Sequence, residues 1–223
     1  MIEEYYDELL EHDRLHGREQ FGLMSSHAWA LDPKRLTFTF ARYKFVGKLL
    51  EGKERVLEVG CADAFATRIV RQMVGHITAI DVDPVFVEDA RKGINERWPI
   101  DVVCHNMVHG PVNNRLPFNA AYALDVLEHI PLDSEDAFLG NMCASLKTRS
   151  SIVIIGCPSL ESQHLASHIS AAGHVNCKSG PELKDTMNRY FHTVCMFSMN
   201  DEVVHTGHHA MAHYLFAVCS DRK

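Results

Sequence analysis

The stretch Glu58-Val59-Gly60-Cys61-Ala62-Asp63-Ala64 sets two acids around a tight turn that holds a single glycine. A loop that cradles a pyrophosphate needs several glycines for close backbone approach, and it avoids neighbouring carboxylates. The acids here favour a cationic or zwitterionic ligand instead. Asp81 ends the next apolar run, where a carboxylate can accept both hydroxyls of a nucleoside ribose; the competing reading is a helix cap ahead of Pro84. Asp63 is expected to cap the first helix after the turn. Eight histidines lie between residues 164 and 213. Histidine is the usual base near neutral pH, but any single one is by default solvated or packed.

The elements that must position these groups alternate along the chain. Apolar runs at Val56–Val59, Ile77–Ile80, Ile100–Cys104, Ala120–Leu124 and Ser151–Cys157 read as strands. Between them, helices are predicted over Ala66–Val74, Pro84 to about Arg97, and Ser134–Leu146. This β-α rhythm is that of a parallel sheet covered by helices. After a helix near Pro181–Tyr190 come two strand-like runs, His192–Met199 and Ala210–Cys219, joined by the polar NDEVVHTGHH. Without a helix between them they are expected to be antiparallel neighbours. Residues 1–50 read as a helical lid in two pieces, before and after Asp32-Pro33, and residues 51–223 as one compact domain.

Composition bounds the function. The 223 residues are 46% hydrophobic and 23% charged, ordinary for a globular chain with a sizeable core. A formal net charge of -7 and no Lys/Arg cluster argue against a nucleic-acid partner. Seven cysteines stand singly with no CxxC pair, which predicts buried free thiols in a reducing compartment. No apolar run reaches membrane-spanning length and the N-terminus has no signal core, so a cytoplasmic protein is expected.

The motifs LEVGCADA, AIDVDP and LPFNAAYALDVLEHIP, followed by AAGHVNCKSGPEL, resemble the small-molecule branch of the class I S-adenosylmethionine-dependent methyltransferases over residues 35 to 219. The resemblance implies a doubly wound, mostly parallel seven-stranded α/β sheet, Rossmann-like, with the last strand antiparallel. It implies S-adenosylmethionine as cofactor, with Glu58 and Gly60 at its methionine end and Cys61 and Ala62 lending backbone. Asp81 would take the ribose, Val82 the adenine face, and Asn106 and Met107 the adenine edge; Asp125 would lie near the methionine amine. Ala62 and Ala64 stand where the family has glycines, Asn106 where it often has an acid, and Asn119 where Asp is common. His129 and His174 fall in loops at the carboxyl edge, which nominates His174 as a base and His129 as a positioning partner.

The function read from these features is methyl transfer to a hydroxyl or amine of a small polar metabolite or sugar derivative. No metal is assigned, and oligomeric state is left open, a homo-oligomer included. Tyr5, Tyr6, Trp29, Phe38 and Tyr43 are candidates for pocket walls. Three other readings compete with this one. One is a metal-binding protein using His164 and His168 at i, i+4 spacing with His205, His208, His209 and His213. The others are a non-catalytic cofactor-binding subunit and a nicotinamide oxidoreductase.

Overall fold

The computed structural model describes residues 2–113 and 116–223. Three helices come first, α1 (Ile2–His16), α2 (Leu23–Leu31) and α3 (Lys34–Leu49). The sheet region follows as β1 (Arg55–Val59), α4 (Thr67–Arg71), β2 (His76–Asp81), α5 (Pro84–Gly93), β3 (Asp101–Cys104), β4 (Ala120–Leu124), α6 (Glu135–Ala144) and β5 (Ile152–Pro158). The chain closes with α7 (His168–Gly173), α8 (Gly180–Asn188), β6 (Phe191–Asn200), β7 (Val203–His205) and β8 (Tyr214–Arg222).

These strands form one sheet in the order β3-β2-β1-β4-β5-β8-β6-β7. The first five pair in parallel, and β8 enters antiparallel between β5 and β6. The expected count of seven strands is therefore corrected to eight. The extra strand is β7, hidden in the polar connector, where a tight turn at Asp201 (φ 51°) folds Val203 and Val204 back onto the end of β6.

Side-chain alternation sorts the strands onto two buried faces. Leu57 and Val59 of β1, Ala121 and Ala123 of β4, and Val153 and Ile155 of β5 pack with Phe138, Leu139 and Met142 of α6 and Leu183 and Met187 of α8. Val56, Tyr122 and Ile154 face the other way, against Tyr43 and Val46 of α3, Val70 of α4, and Val87 and Ala90 of α5. The parity that turns Val56 toward α3 turns Glu58 there too. An acid is thus buried in an apolar layer by strand geometry alone.

The N-terminal fifty residues form three helices rather than two, because the chain also breaks at Gly17 and Gly22. Of these, α3 is a core layer, with Val46 and, just past its end, Leu50 fully buried. By contrast, α2 buries only Ser25. Helix α5 stops at Gly93, short of the expected Arg97. Asp63 does not cap α4, whose N-terminus has no side-chain cap. Its carboxylate instead receives the Ser25 amide at 2.7 Å and so caps α2 from across the fold. All seven cysteines are free, but Cys104 and Cys195 are exposed where burial was expected.

Candidate active site

Strand β1 is flanked by β2 on one side and β4 on the other, so the connections diverge at its carboxyl end. Ligands of open α/β sheets bind at such a switch point. The loop after β1 meets the loop after β4 there. A Cβ at Gly60 would lie 2.3 Å from Cγ2 of Val126, so only glycine fits, and its φ of +78° has the same requirement. Ala62 (φ 46°) and Ala64 (φ 52°) hold the left-handed conformation that glycines would adopt freely. The turn keeps its shape despite the lost glycines.

Most of the loop's amides are committed inside the protein. Gly60 and Cys61 N–H donate to the Ile80 carbonyl, Ala62 to Asp81 Oδ2 at 2.8 Å, Ala64 to the Cys61 carbonyl and Phe65 to Asp63 Oδ1. No row of amide donors is left for a pyrophosphate, which disfavours the nicotinamide reading. The backbone that Cys61 and Ala62 offer a ligand is thus carbonyl, suited to a cation. Glu58 adds to this. It is 1% exposed, Oε1 accepts the Tyr43 hydroxyl at 2.7 Å, and Oε2 is buried without a partner. Burial pushes its pKa up to about 7, against the hydroxyls of Thr67, Tyr43 and Tyr122, which favour the charged form.

Asp81 is not the cap of α5; Asp83 is, taking the Val85 amide at 2.8 Å. Asp81 accepts one amide on each oxygen, from Ala62 and Asp83, which fixes the carboxylate and leaves lone pairs on both atoms. Beside it Val82 is 61% exposed, an apolar side chain of the kind an adenine face would cover. Asn106 folds its Oδ1 back onto the Val108 amide, and the Met107 side chain is buried in the core. Met107 therefore offers a ligand at the adenine edge no side-chain surface. Taken together, Glu58, the loop carbonyls, Asp81 and Val82 fit a nucleoside ligand with a cationic amino-acid end.

Past β4 the chain gathers a second group. Asp125 (φ 56°) turns its carboxylate to Arg42 of α3, with Nη1 at 3.0 and 2.9 Å from the two oxygens. The Arg42 guanidinium lies 3.8 Å from the Tyr214 ring centroid. Glu128 is 1% exposed, and burial followed by the Asp125 charge raises its pKa to about 9. The His129 and His174 rings stand 5.1 Å apart, so the two predicted histidines are neighbours. His129 Nδ1 contacts the Gly173 carbonyl at 2.9 Å, and His174 Nδ1 contacts Gln163 Oε1 at 2.7 Å. Carbonyls only accept, so both Nδ1 atoms carry hydrogen, and in a neutral ring of this tautomer the lone pair falls on Nε2. Burial chiefly, then the neighbouring His129, lowers the His174 pKa and so favours its neutral form.

The distal histidines do not assemble. His164 sits in a short 3-10 turn and His168 starts α7, so they share no helix face. His205 bonds Asn200, and His213 lies 3.7 Å from Asp201. Among the described residues the one group able to converge on an ion is Glu128, His129 and His174. Sequence reading missed Arg42 and Gln163, which reach the site from distant segments.

The switch point, ribose-type acid and acceptor-rich loop fit an α/β protein that binds a nucleoside. Residues 56–149 match the methyltransferase domain family. The ubiquinone biosynthesis O-methyltransferase of Xylella fastidiosa (strain 9a5c) is 27% identical over 156 residues, covering 63% of this chain and 58% of that protein. The corresponding protein of Xanthomonas oryzae pv. oryzae is 29% identical over 103 residues, covering 46% and 41%. The chain thus spans less than two thirds of the length of these relatives. The fold matches the N-methyltransferase NodS from Bradyrhizobium japonicum WM9 in complex with S-adenosyl-L-homocysteine (TM-score 0.60, 16% identity, 86% of this chain and 91% of that one). It also matches the complex of a Haloferax volcanii putative methyltransferase with its Trm112 activator (TM-score 0.68, 13% identity, 88% and 97%). The methyltransferase domain match and these relatives support a class I S-adenosylmethionine-dependent methyltransferase. Among the described residues no helix is long and apolar enough to cross a membrane.

Proposed function

We propose that the protein methylates a hydroxyl of a small acceptor, with an amine as the alternative nucleophile. The observation that carries this is the pairing of His129 and His174 at the carboxyl edge, each ring oriented through Nδ1 by a carbonyl oxygen. Bound S-adenosylmethionine supplies an electrophilic methyl on a sulfonium. Glu58 and the loop carbonyls hold its amino-acid end, Asp81 its ribose and Val82 its adenine. Asn106 lies toward the adenine edge, and Asp125 toward the methionine amine.

Displacement at the methyl needs an aligned nucleophile, and a hydroxyl must lose its proton as it attacks. Neutral His174 takes that proton at Nε2 while Gln163 holds the ring, and His129 orients the acceptor. The names of the O-methyltransferase relatives support a hydroxyl over an amine. The acceptor is a small polar metabolite or sugar derivative with an apolar part. That part would meet the aromatic group of Phe21, Phe40 and Phe65 beside the loop, where Phe21 and Phe65 centroids are 4.8 Å apart.

Calorimetry should show binding of S-adenosylmethionine and S-adenosylhomocysteine that falls sharply in Asp81→Ala. In an acceptor screen, His174→Ala should reduce turnover at least about tenfold with cofactor affinity intact. Binding of NADH without either adenosyl ligand would sink the reading.

A further inference from the structure

We propose that α1 of one chain docks on α2 of a second copy of this chain, and α2 on α1 in return, joining two protomers about a two-fold axis. Among the described residues, ten of the twenty large hydrophobic side chains left exposed lie between Tyr5 and Leu31. Monomers rarely leave so much apolar surface bare in one segment. Helix α1 shows it most plainly. From Tyr5 to His16 only Asp13 is even half-buried, and Tyr5, Tyr6, Leu9 and Leu10 are 60%, 58%, 49% and 66% exposed. They recur at the i, i+3, i+4 spacing that sets one apolar stripe along a helix. A helix of 15 residues is marginal in water by itself, so α1 needs an apolar surface to cover that stripe. Its own chain does not supply one. Gly17 (φ 70°) ends the helix, and Glu19, held by Arg68 at 2.5 Å and Asn95 at 2.8 Å, ties the chain to the body only beyond it.

Helix α2 offers the complementary surface. LMSSHAWAL carries no acid, lysine or arginine and buries only Ser25, while Leu23, Met24, Trp29 and Leu31 are exposed. Charge selects the occupant. At about 100° per residue Asp7 and Glu8 flank the α1 stripe on its two sides. Both are exposed, and neither has an ion-pair partner among the described residues. Lys34 and Arg35, just past α2, are exposed and unpaired in the same way. Docked on α2 of a second copy, α1 brings its acids toward these cations; docked on another α1 it would set acid against acid. The acids also argue against a lipid surface, which takes helices with lysine and arginine on the polar face. Stable interfaces use about 20–30 residues a side, and α1 and α2 hold 15 and 9. Phe21 packs on Phe65 beside the cofactor loop and lies 5.9 Å from Trp29, so the second copy's α1 would cover the aromatic wall of the acceptor pocket. That consequence rests on the methyltransferase reading; the association does not.

The test is the mass of the full chain in solution, followed by sedimentation velocity as protein concentration is raised. Twice the mass of one chain is expected. Leu9→Glu and Leu10→Glu, at positions exposed in the single chain, should each weaken association at least about tenfold. Leu132→Glu, 70% exposed and outside both helices, should associate as the unaltered protein does. Reversing charge in Asp7→Lys with Glu8→Lys, or in Lys34→Glu with Arg35→Glu, should weaken association, and combining the two pairs should restore most of it. A monomer at every concentration, a dimer indifferent to Leu9→Glu and Leu10→Glu, or a loss that the combined reversal does not repair overturns the proposal. So does binding of a monomer to vesicles of anionic lipid, which would assign the stripe to a lipid surface. S-adenosylhomocysteine affinity, measured in the same variants, judges the methyltransferase reading separately.

Discussion

Arg42 and Asp125 lie 83 positions apart and meet at 2.9 Å, joining α3 to the loop after β4. The arginine is also stacked on Tyr214, so three segments converge on one guanidinium. Asp125 is strained at positive φ, and the ion pair holds it in place. An exposed ion pair alone contributes little, but the stacked, largely desolvated guanidinium adds about 1–2 kcal/mol. Arg42→Ala should therefore lower stability by about that amount, read as a shift in urea midpoint. Arg42→Lys should recover only part, because an ammonium lacks the planar face. Full recovery by lysine would mean that charge alone matters.

Glu58 should couple cofactor binding to pH. Its carboxyl is raised from an ordinary 4.5 to about 7 by burial, so the folded protein holds this proton between those values and the unfolded chain does not. Its contribution to stability is full below pH 4.5 and is lost as pH rises through about 7. The span corresponds to roughly 3 kcal/mol. A bound ammonium favours the ionised form, so S-adenosylmethionine should release a proton on binding near pH 6.5 and none near pH 9. Calorimetry in buffers of different ionisation enthalpy measures this directly. Glu58→Gln should abolish the release; if it persists, another group is titrating.

Much of this was legible in the sequence, and the reasons are local. The apolar runs RVLEV and AAYAL, separated by helical stretches, marked the parallel sheet, and the acid spacing from Glu58 to Asp81 marked the switch point. Other features depend on contacts that no local pattern carries. Asp63 looked like a cap for the next helix because caps act within a few residues, yet it caps α2 from 38 positions away. The i, i+4 spacing of His164 and His168 suggested a shared face, but the chain breaks between them at Ala166 and Ser167. Strand β7 was invisible because three residues at an edge carry too little periodicity.

The two alanines of the loop give a test with a defined sign. Ala62 and Ala64 hold φ values of 46° and 52°, where a Cβ crowds the following carbonyl. Glycine adopts this conformation without that clash, though it gains entropy in the unfolded chain. Relief of the clash outweighs that entropy, so Ala62→Gly and Ala64→Gly should each stabilise the protein by up to about 1 kcal/mol. Denaturant titration checks it. Destabilisation by either change would show that the methyl group packs favourably enough to outweigh its strain; Ala64, only 5% exposed, is the stricter case.

Gly22 should control whether α2 stays docked. A Cβ there would sit 2.4 Å from Cβ of Asp63, closer than side chains tolerate, so Gly22→Ala must push α2 away from the loop. The push separates the Ser25 amide from its 2.7 Å contact with Asp63, while the Leu23 amide can keep Asp89, also at 2.7 Å. Losing one such cap costs about 1 kcal/mol. Because α2 buries little beyond Ser25, the loss should fall on local opening and not on the sheet. Hydrogen exchange should show faster exchange at Ser25 and through α2, with β1 and β4 protected as before. Ser25→Ala removes the hydroxyl contact to Asp63 at 3.2 Å but keeps the amide, and should have a smaller effect. Unchanged protection of α2 in Gly22→Ala would mean that the helix is held by its apolar contacts and not by the Asp63 cap.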